Sequence, residues 1–292
     1  MLPDNVLLDI FDSCRKDHDP NRSPFTPVWR WRGLVHVCQR WRQIVFGSPR
    51  RLDLQLLCAN GTHMRENLDL WPPFPIAIHY PYYYTFTPYD EVNLFAALEH
   101  PGRIRHVDLR LTGPHLREVA TVMQVPFPAL THLALRWGDE NPPALPSGFL
   151  GGSAPCLQYL RLEGVPFPAI RTLLSSTSDL VDLYFNDISQ DGYISPEAMV
   201  ACLAALPRLK FLSIGSQSAT SHADRICPPP ETRTLLPALT SFGFRGASEY
   251  LEELVSLIDG PQLNRIYMKY SQFLTFKLRN SSSSSIAQKI PS

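Results

Sequence analysis

The chain has 292 residues, 44% of them hydrophobic and 18% charged, with 27 Lys and Arg against 27 Asp and Glu. This composition excludes a disordered or collagen-like chain, and zero net charge excludes capture of nucleic acid or acidic lipid by an overall basic field. No run reaches the ~18 apolar residues of a membrane span, so neither nucleic acid nor membrane is an expected partner.

In chain order, Met1-Leu2-Pro3-Asp4 opens without the basic segment and apolar run of a signal peptide. The six cysteines lie 20 or more residues apart with no Cys-x-x-Cys pair, which argues against zinc ribbons and redox sites. Reduced thiols and a cytoplasmic or nuclear location, or both, are the expectation. Apolar residues at Val6, Leu7, Ile10 and Phe11 form the i, i+3, i+4 stripe of a short helix entered through Pro3. A polar, proline-rich stretch follows at 15–27, and a second helical stripe runs through Leu34, Val37, Cys38, Trp41, Ile44 and Val45. Residues 1–50 thus read as a small helical domain with a loop insertion. In 51–99, Leu52-Asp-Leu-Gln-Leu56 and Ile76-Ala-Ile-His-Tyr80 alternate like strands, which suggests an irregular capping repeat.

From residue 100 one frame recurs seven times: an apolar residue, two others, an apolar, one other, an apolar. The copies start at Ile104, Leu130, Leu157, Leu180, Leu209, Leu239 and Leu263, spaced 26, 27, 23, 29, 30 and 24 residues apart. That spacing is close to the ~20–29 residues of leucine-rich repeats. Proline is over-used, 28 in all, and five copies place one two residues before the first apolar position, where its missing N–H suits the entrance to a strand. Helix-compatible runs lie between, such as Asp90 to Leu98, Leu116 to Met123, Pro196 to Leu206 and Ser248 to Ile258. The expected fold class is α/β: a helical N-terminal unit, then a leucine-rich-repeat-like solenoid over 100–279 with a parallel sheet on its concave face, and a disordered serine-rich tail over 280–292. Phe273 to Leu278 could begin an eighth strand.

Period two along each strand assigns the concave positions. Among them His106, Arg110, His132, Arg136, Tyr159, Arg161, Tyr184, Phe211, Arg245, Arg265, Tyr267 and Lys269 are the candidate target-binding residues, because Tyr and Arg dominate recognition surfaces. The concave set holds six Lys or Arg against the acids Asp108, Glu163 and Asp182, which is compatible with a mildly acidic partner.

The Leu2-Pro3 start, Val6-Leu-Leu-Asp-Ile-Phe11 and Leu34-Val-His-Val-Cys-Gln-Arg-Trp41 resemble an F-box. With Phe46-Gly-Ser-Pro-Arg-Arg-Leu-Asp-Leu54, Leu70-Trp-Pro-Pro-Phe-Pro-Ile76 and Leu150-Gly-Gly-Ser-Ala-Pro-Cys-Leu157, the chain to about residue 270 is similar to the expanded F-box families of mushroom-forming fungi. The resemblance implies a non-catalytic receptor of an SCF-type ubiquitin ligase. In such a receptor the F-box docks on a Skp-family adaptor linked to cullin and RING subunits, while the repeats bind an unidentified target protein. By position, Leu2, Pro3, Val6, Leu7, Ile10, Leu34, Cys38 and Trp41 would face the adaptor or pack the helices. Asn5 departs from the family's usual glutamate, and the 15–27 insertion lengthens the first loop. The alternative is a repeat scaffold whose F-box is degenerate and acts outside ubiquitination. No nucleophile elbow, phosphate loop, zinc motif or dinucleotide fingerprint occurs, so neither catalysis nor a cofactor is expected.

Overall fold

A computed structural model describes residues 2–16, 30–80, 86–137, 143–188, 192–216, 233–246 and 248–270. Most of the 15–27 insertion, the Phe273 to Leu278 run and the serine tail therefore lie outside the described residues.

Three helices open the chain: α1 (Asp4–Lys16), α2 (Arg30–Val35) and α3 (Gln39–Gly47). Pro3 stands at the start of α1, and its carbonyl accepts the first helical bond, from Leu7 N at 3.1 Å. The second stripe, expected as one helix, is two. His36 and Val37 make only i→i−3 bonds, both 3.4 Å, and Cys38 is extended at φ −160°, so the chain turns before α3 begins. The turn sends Val35 inward and leaves Val37 exposed.

Strands and helices then alternate: β1 (Leu56–Ala59), α4 (Met64–Leu70), β2 (Ile76–Tyr80), α5 (Pro88–Leu98), β3 (Ile104–Leu111), α6 (Gly113–Val122), β4 (His132–Trp137), β5 (Tyr159–Glu163), α7 (Ile170–Ser175), β6 (Asp182–Ile188), α8 (Pro196–Leu203), β7 (Phe211–Ser216), β8 (Thr234–Leu235), β9 (Ser241–Gly246), α9 (Ser248–Leu257), β10 (Ile258–Asp259) and β11 (Arg265–Tyr270). Nine strands form one sheet in the order β1-β2-β3-β4-β5-β6-β7-β9-β11, and every neighbouring pair is parallel. The protein is thus α/β, and sequential parallel strands with helices between them are compatible with a repeat solenoid. β8 and β10 make a separate two-stranded parallel pair.

The expected irregular segment at 51–99 is in fact two regular rungs of this sheet, although its first strand starts at Leu56 and not at Leu52. Leu52 N donates to Ser48 O and Leu54 N to Pro49 O, with Asp53 at φ 49°, so the Leu52-Leu54 alternation belongs to a turn.

The apolar frame is the core. In the first six copies every frame residue, from Ile104 through Phe244, is at most 4% exposed. The prolines sit in a shared turn: Leu130 N bonds to Phe127 O, Leu157 to Ala154, Leu209 to Leu206, Leu239 to Leu236 and Leu263 to Gly260, at 3.0–3.3 Å. Each is a four-residue turn whose second position is the proline, where a fixed φ is already correct. Thr177-Ser-Asp-Leu180 makes the same turn without proline, at 3.0 Å. In the seventh copy Leu263 is half-buried, while Ile266 and Met268 are 53% and 47% exposed on the last strand.

Candidate functional site

The register of the sheet sorts the residues of its open face into rows running across the strands. One row reads His106, His132, Tyr159, Asp182, Phe211, Ser241 and Arg265. The next reads His79, Asp108, Ala134, Arg161, Tyr184, Ser213, Gly243 and Tyr267. A third carries Arg110, Arg136, Glu163 and Asn186, and further along it Gly215, Arg245 and Lys269.

Five of the candidate target-binding residues form a continuous ladder of rings. Centroids lie 4.5 Å apart for His106–His132, 5.8 Å for His132–Tyr159, 5.3 Å for Tyr159–Tyr184 and 4.7 Å for Tyr184–Phe211. This pitch is set by the ~4.8 Å between hydrogen-bonded strands, so equivalent positions in successive repeats can hardly avoid stacking. All five rings are half-buried. Burial lowers the His106 pKa to about 4, with the neighbouring His132 adding to the shift and Asp53 opposing it, and burial also lowers that of His132. Both imidazoles are therefore neutral near pH 7. Burial pushes the Tyr184 hydroxyl up to about 12, helped by Tyr159 and Asp182, and raises that of Tyr159.

The charges of the face are arranged around its acids. Asp108 is buried, with Arg136 at 3.0 Å and His79 at 3.4 Å. Its expected role as a solvated residue is corrected: it bridges β2 and β4 from the strand between them. Arg161 forks onto Glu163 Oε2 from Nε at 3.1 Å and Nη2 at 2.7 Å, and its guanidinium lies 5.7 Å over the Tyr184 ring. Arg245 is exposed, 3.6 Å from Asp187. Arg265 and Tyr267 are exposed on the last strand, Arg110 is half-buried, and the Lys269 side chain lies outside the described residues. Sequence reasoning missed His79, which sits in a rung taken as irregular, though its place in the Ile76-Ala-Ile-His-Tyr alternation signals the same face.

At the other end, Leu7 and Phe11 are buried, and Val6, Leu34 and Trp41 are half-buried. Trp41 packs its ring 4.8 Å from that of Phe11. Leu7 therefore packs helices together, and Trp41 is partly committed to the same task. Leu2, Pro3, Ile10 and Cys38 are exposed, together with Val37. Arg40 Nη2 bonds to Leu2 O and Asp4 Oδ1, which pins the start of α1 against the start of α3. Leu2, Pro3, Val37 and Cys38 consequently share one end of the helical unit, and Val6 and Ile10 continue it along α1 at i, i+4 spacing.

Among the described residues no cluster of three or more His, Cys, Asp and Glu could hold a metal ion, and no helix is long and apolar enough to cross a membrane. No protein-family model matches the chain, and no curated protein matches it.

Proposed function

We propose that this protein is a non-catalytic receptor subunit of an SCF-type cullin–RING ubiquitin ligase. Its N-terminal helices dock on a Skp-family adaptor, and the open face of the sheet holds a target protein. Holding the target near the ubiquitin carrier raises its effective concentration, so binding geometry replaces a catalytic residue.

The observation that carries this reading is the exposed apolar end of the helical unit. Leu2, Ile10 and Val37 are 52%, 43% and 58% exposed, and with Pro3 and Cys38 they fall on the F-box-like positions or beside them. Exposed apolar residues gathered at one place mark interaction surfaces.

The test is co-purification of the full chain with a fungal Skp-family adaptor, alongside Ile10→Asp and Val37→Asp. Both substituted residues are at the surface, so circular dichroism should be unchanged while capture falls at least tenfold. A folded wild-type chain that captures no adaptor removes the ligase reading and leaves a repeat scaffold.

A further inference from the structure

The ring ladder stops short of the end of the sheet. Phe211 on β7 stacks on Tyr184 at 4.7 Å with the planes 25° apart, but the next strand, β9, presents Ser241 and Gly243 in the two rows that carry the rings. One strand further, β11 presents Arg265 and Tyr267, both exposed. The stretch of face between Phe211 and these two residues spans two strand spacings, about 10 Å. It is floored by residues with almost no side chain. A flat ring stacked at the ladder's own pitch fills such an interval, with Phe211 on one side and Arg265 or Tyr267 on the other.

The charge around this place has one sign to offer. Asp108 and Glu163 of the open face are held by Arg136 and Arg161. Arg245 and Arg265 lie on the two strands bounding the interval, with exposed guanidinium groups directed by neither of those pairs.

The geometry points to a recognition slot over β9 for an aromatic side chain of an acidic segment in the target protein. The ring continues the ladder against Phe211, and flanking carboxylates meet Arg245 and Arg265. This rests on the reading of the open face as the target-binding surface, and it names the chemistry that surface selects. Stacking supplies the preference for an aromatic residue, and the exposed arginines supply a salt-dependent preference for acidic neighbours.

The experiment uses fluorescein-labelled 15-residue peptides, (Glu-Glu-Tyr)5, (Glu-Glu-Ala)5 and (Lys-Lys-Tyr)5, titrated with the full chain and followed by anisotropy. The tyrosine-acidic peptide should bind at least fivefold tighter than the alanine-acidic one, and the basic peptide should not bind. Ser241→Phe completes the ladder and should abolish the tyrosine preference without changing charge. Phe211→Ala removes the stacking face and should do the same, which keeps the test decisive if Ser241→Phe fails to fold. Arg265→Glu should weaken both acidic peptides. Equal affinity of the wild type for the two acidic peptides, no binding of either, or a tyrosine preference that survives in a folded Ser241→Phe or Phe211→Ala protein would each overturn the slot. Adaptor capture measured on the same variants separates the two ideas. Its retention when the tyrosine preference is lost concerns the slot alone, and its failure with the slot intact concerns only the ligase reading.

Discussion

At the scale of single residues, stacking on the open face has a thermodynamic consequence through His106. Its pKa falls from the usual 6.5 to about 4 because the ring is buried beside His132. In the unfolded chain the imidazole takes up a proton as pH drops through 6.5, whereas in the folded chain it resists until about pH 4. The unfolded state therefore binds more protons in that window. The stabilisation is fully present above pH 6.5 and is lost progressively on acidification toward pH 4. At ~1.4 kcal/mol per pKa unit the loss is at most about 3 kcal/mol. Urea denaturation followed between pH 7 and pH 4 should show this decline, and His106→Phe, which keeps the ring and removes the titration, should flatten part of it. A slope identical in the variant would show that other groups set the acid limb. The lowered pKa of His132, also caused by burial, steepens the same slope.

At the scale of elements, the turn before each strand is what makes the repeat. Proline occupies the second position of the turns ending at Leu130, Leu157, Leu209, Leu239 and Leu263. Its benefit is a smaller set of unfolded conformations, so Pro128→Ala or Pro207→Ala should each destabilise by about 0.4–1 kcal/mol. The reciprocal change, Ser178→Pro in the turn that lacks it, should stabilise by a similar amount if the φ there is compatible, with thermal melting as the readout. The repeating frame was legible in the sequence because core and turn use different residue types at fixed offsets: Leu or Ile inward, proline two residues earlier. Legibility failed where two patterns share a spelling. Leu52-Asp-Leu54 alternates like a strand, yet the bonds from Leu52 to Ser48 and Leu54 to Pro49 make it a turn. Likewise the stripe from Leu34 to Val45 keeps helical periodicity across a break at His36 to Cys38, because the residues on either side of the break still face buried surface. The ring ladder was legible as a list of outward positions but not as a stack. Tyr184 lies one row away from Tyr159 and Phe211, and only its lean across the rows joins them. The commitment of Asp108 to His79 needed the second strand of the sheet to be recognised as a rung.

At the scale of the whole molecule, the question is how firmly the helical unit is fixed to the sheet, since a receptor that acts by proximity depends on the angle between its two binding surfaces. An aromatic cluster makes the joint. Trp31 from α2 lies edge-on to Trp71 at 5.3 Å and to Phe74 at 5.6 Å, and Phe46 from α3 meets Trp71 at 6.0 Å and Phe74 at 5.7 Å. Trp31 Nε1 donates to Gln55 O just before β1, and Arg32 lies about 6 Å from both tryptophan rings. Trp71 comes from the connection between α4 and β2, so the cluster joins the first rungs of the sheet to the helices without belonging to either core alone. Such edge-to-face contacts contribute ~0.5–1.5 kcal/mol each beyond the area they bury, enough to couple two units into one folding transition. Trp71→Ala removes the shared member of these contacts while leaving the Leu and Ile frame from Ile104 to Phe244 untouched. The wild type should melt in a single step, and Trp71→Ala should melt in two, the helical unit first by several degrees and the repeat stack near its original temperature. Under the proposed function, the variant should still capture the adaptor once bound helices are stabilised by it, yet deliver a target less productively, because the two surfaces no longer hold a fixed angle. A Trp71→Ala protein that melts in one step at the wild-type temperature would place the joint elsewhere, in the ion pair from Arg51 to Asp9 that also ties α1 to the turn before β1.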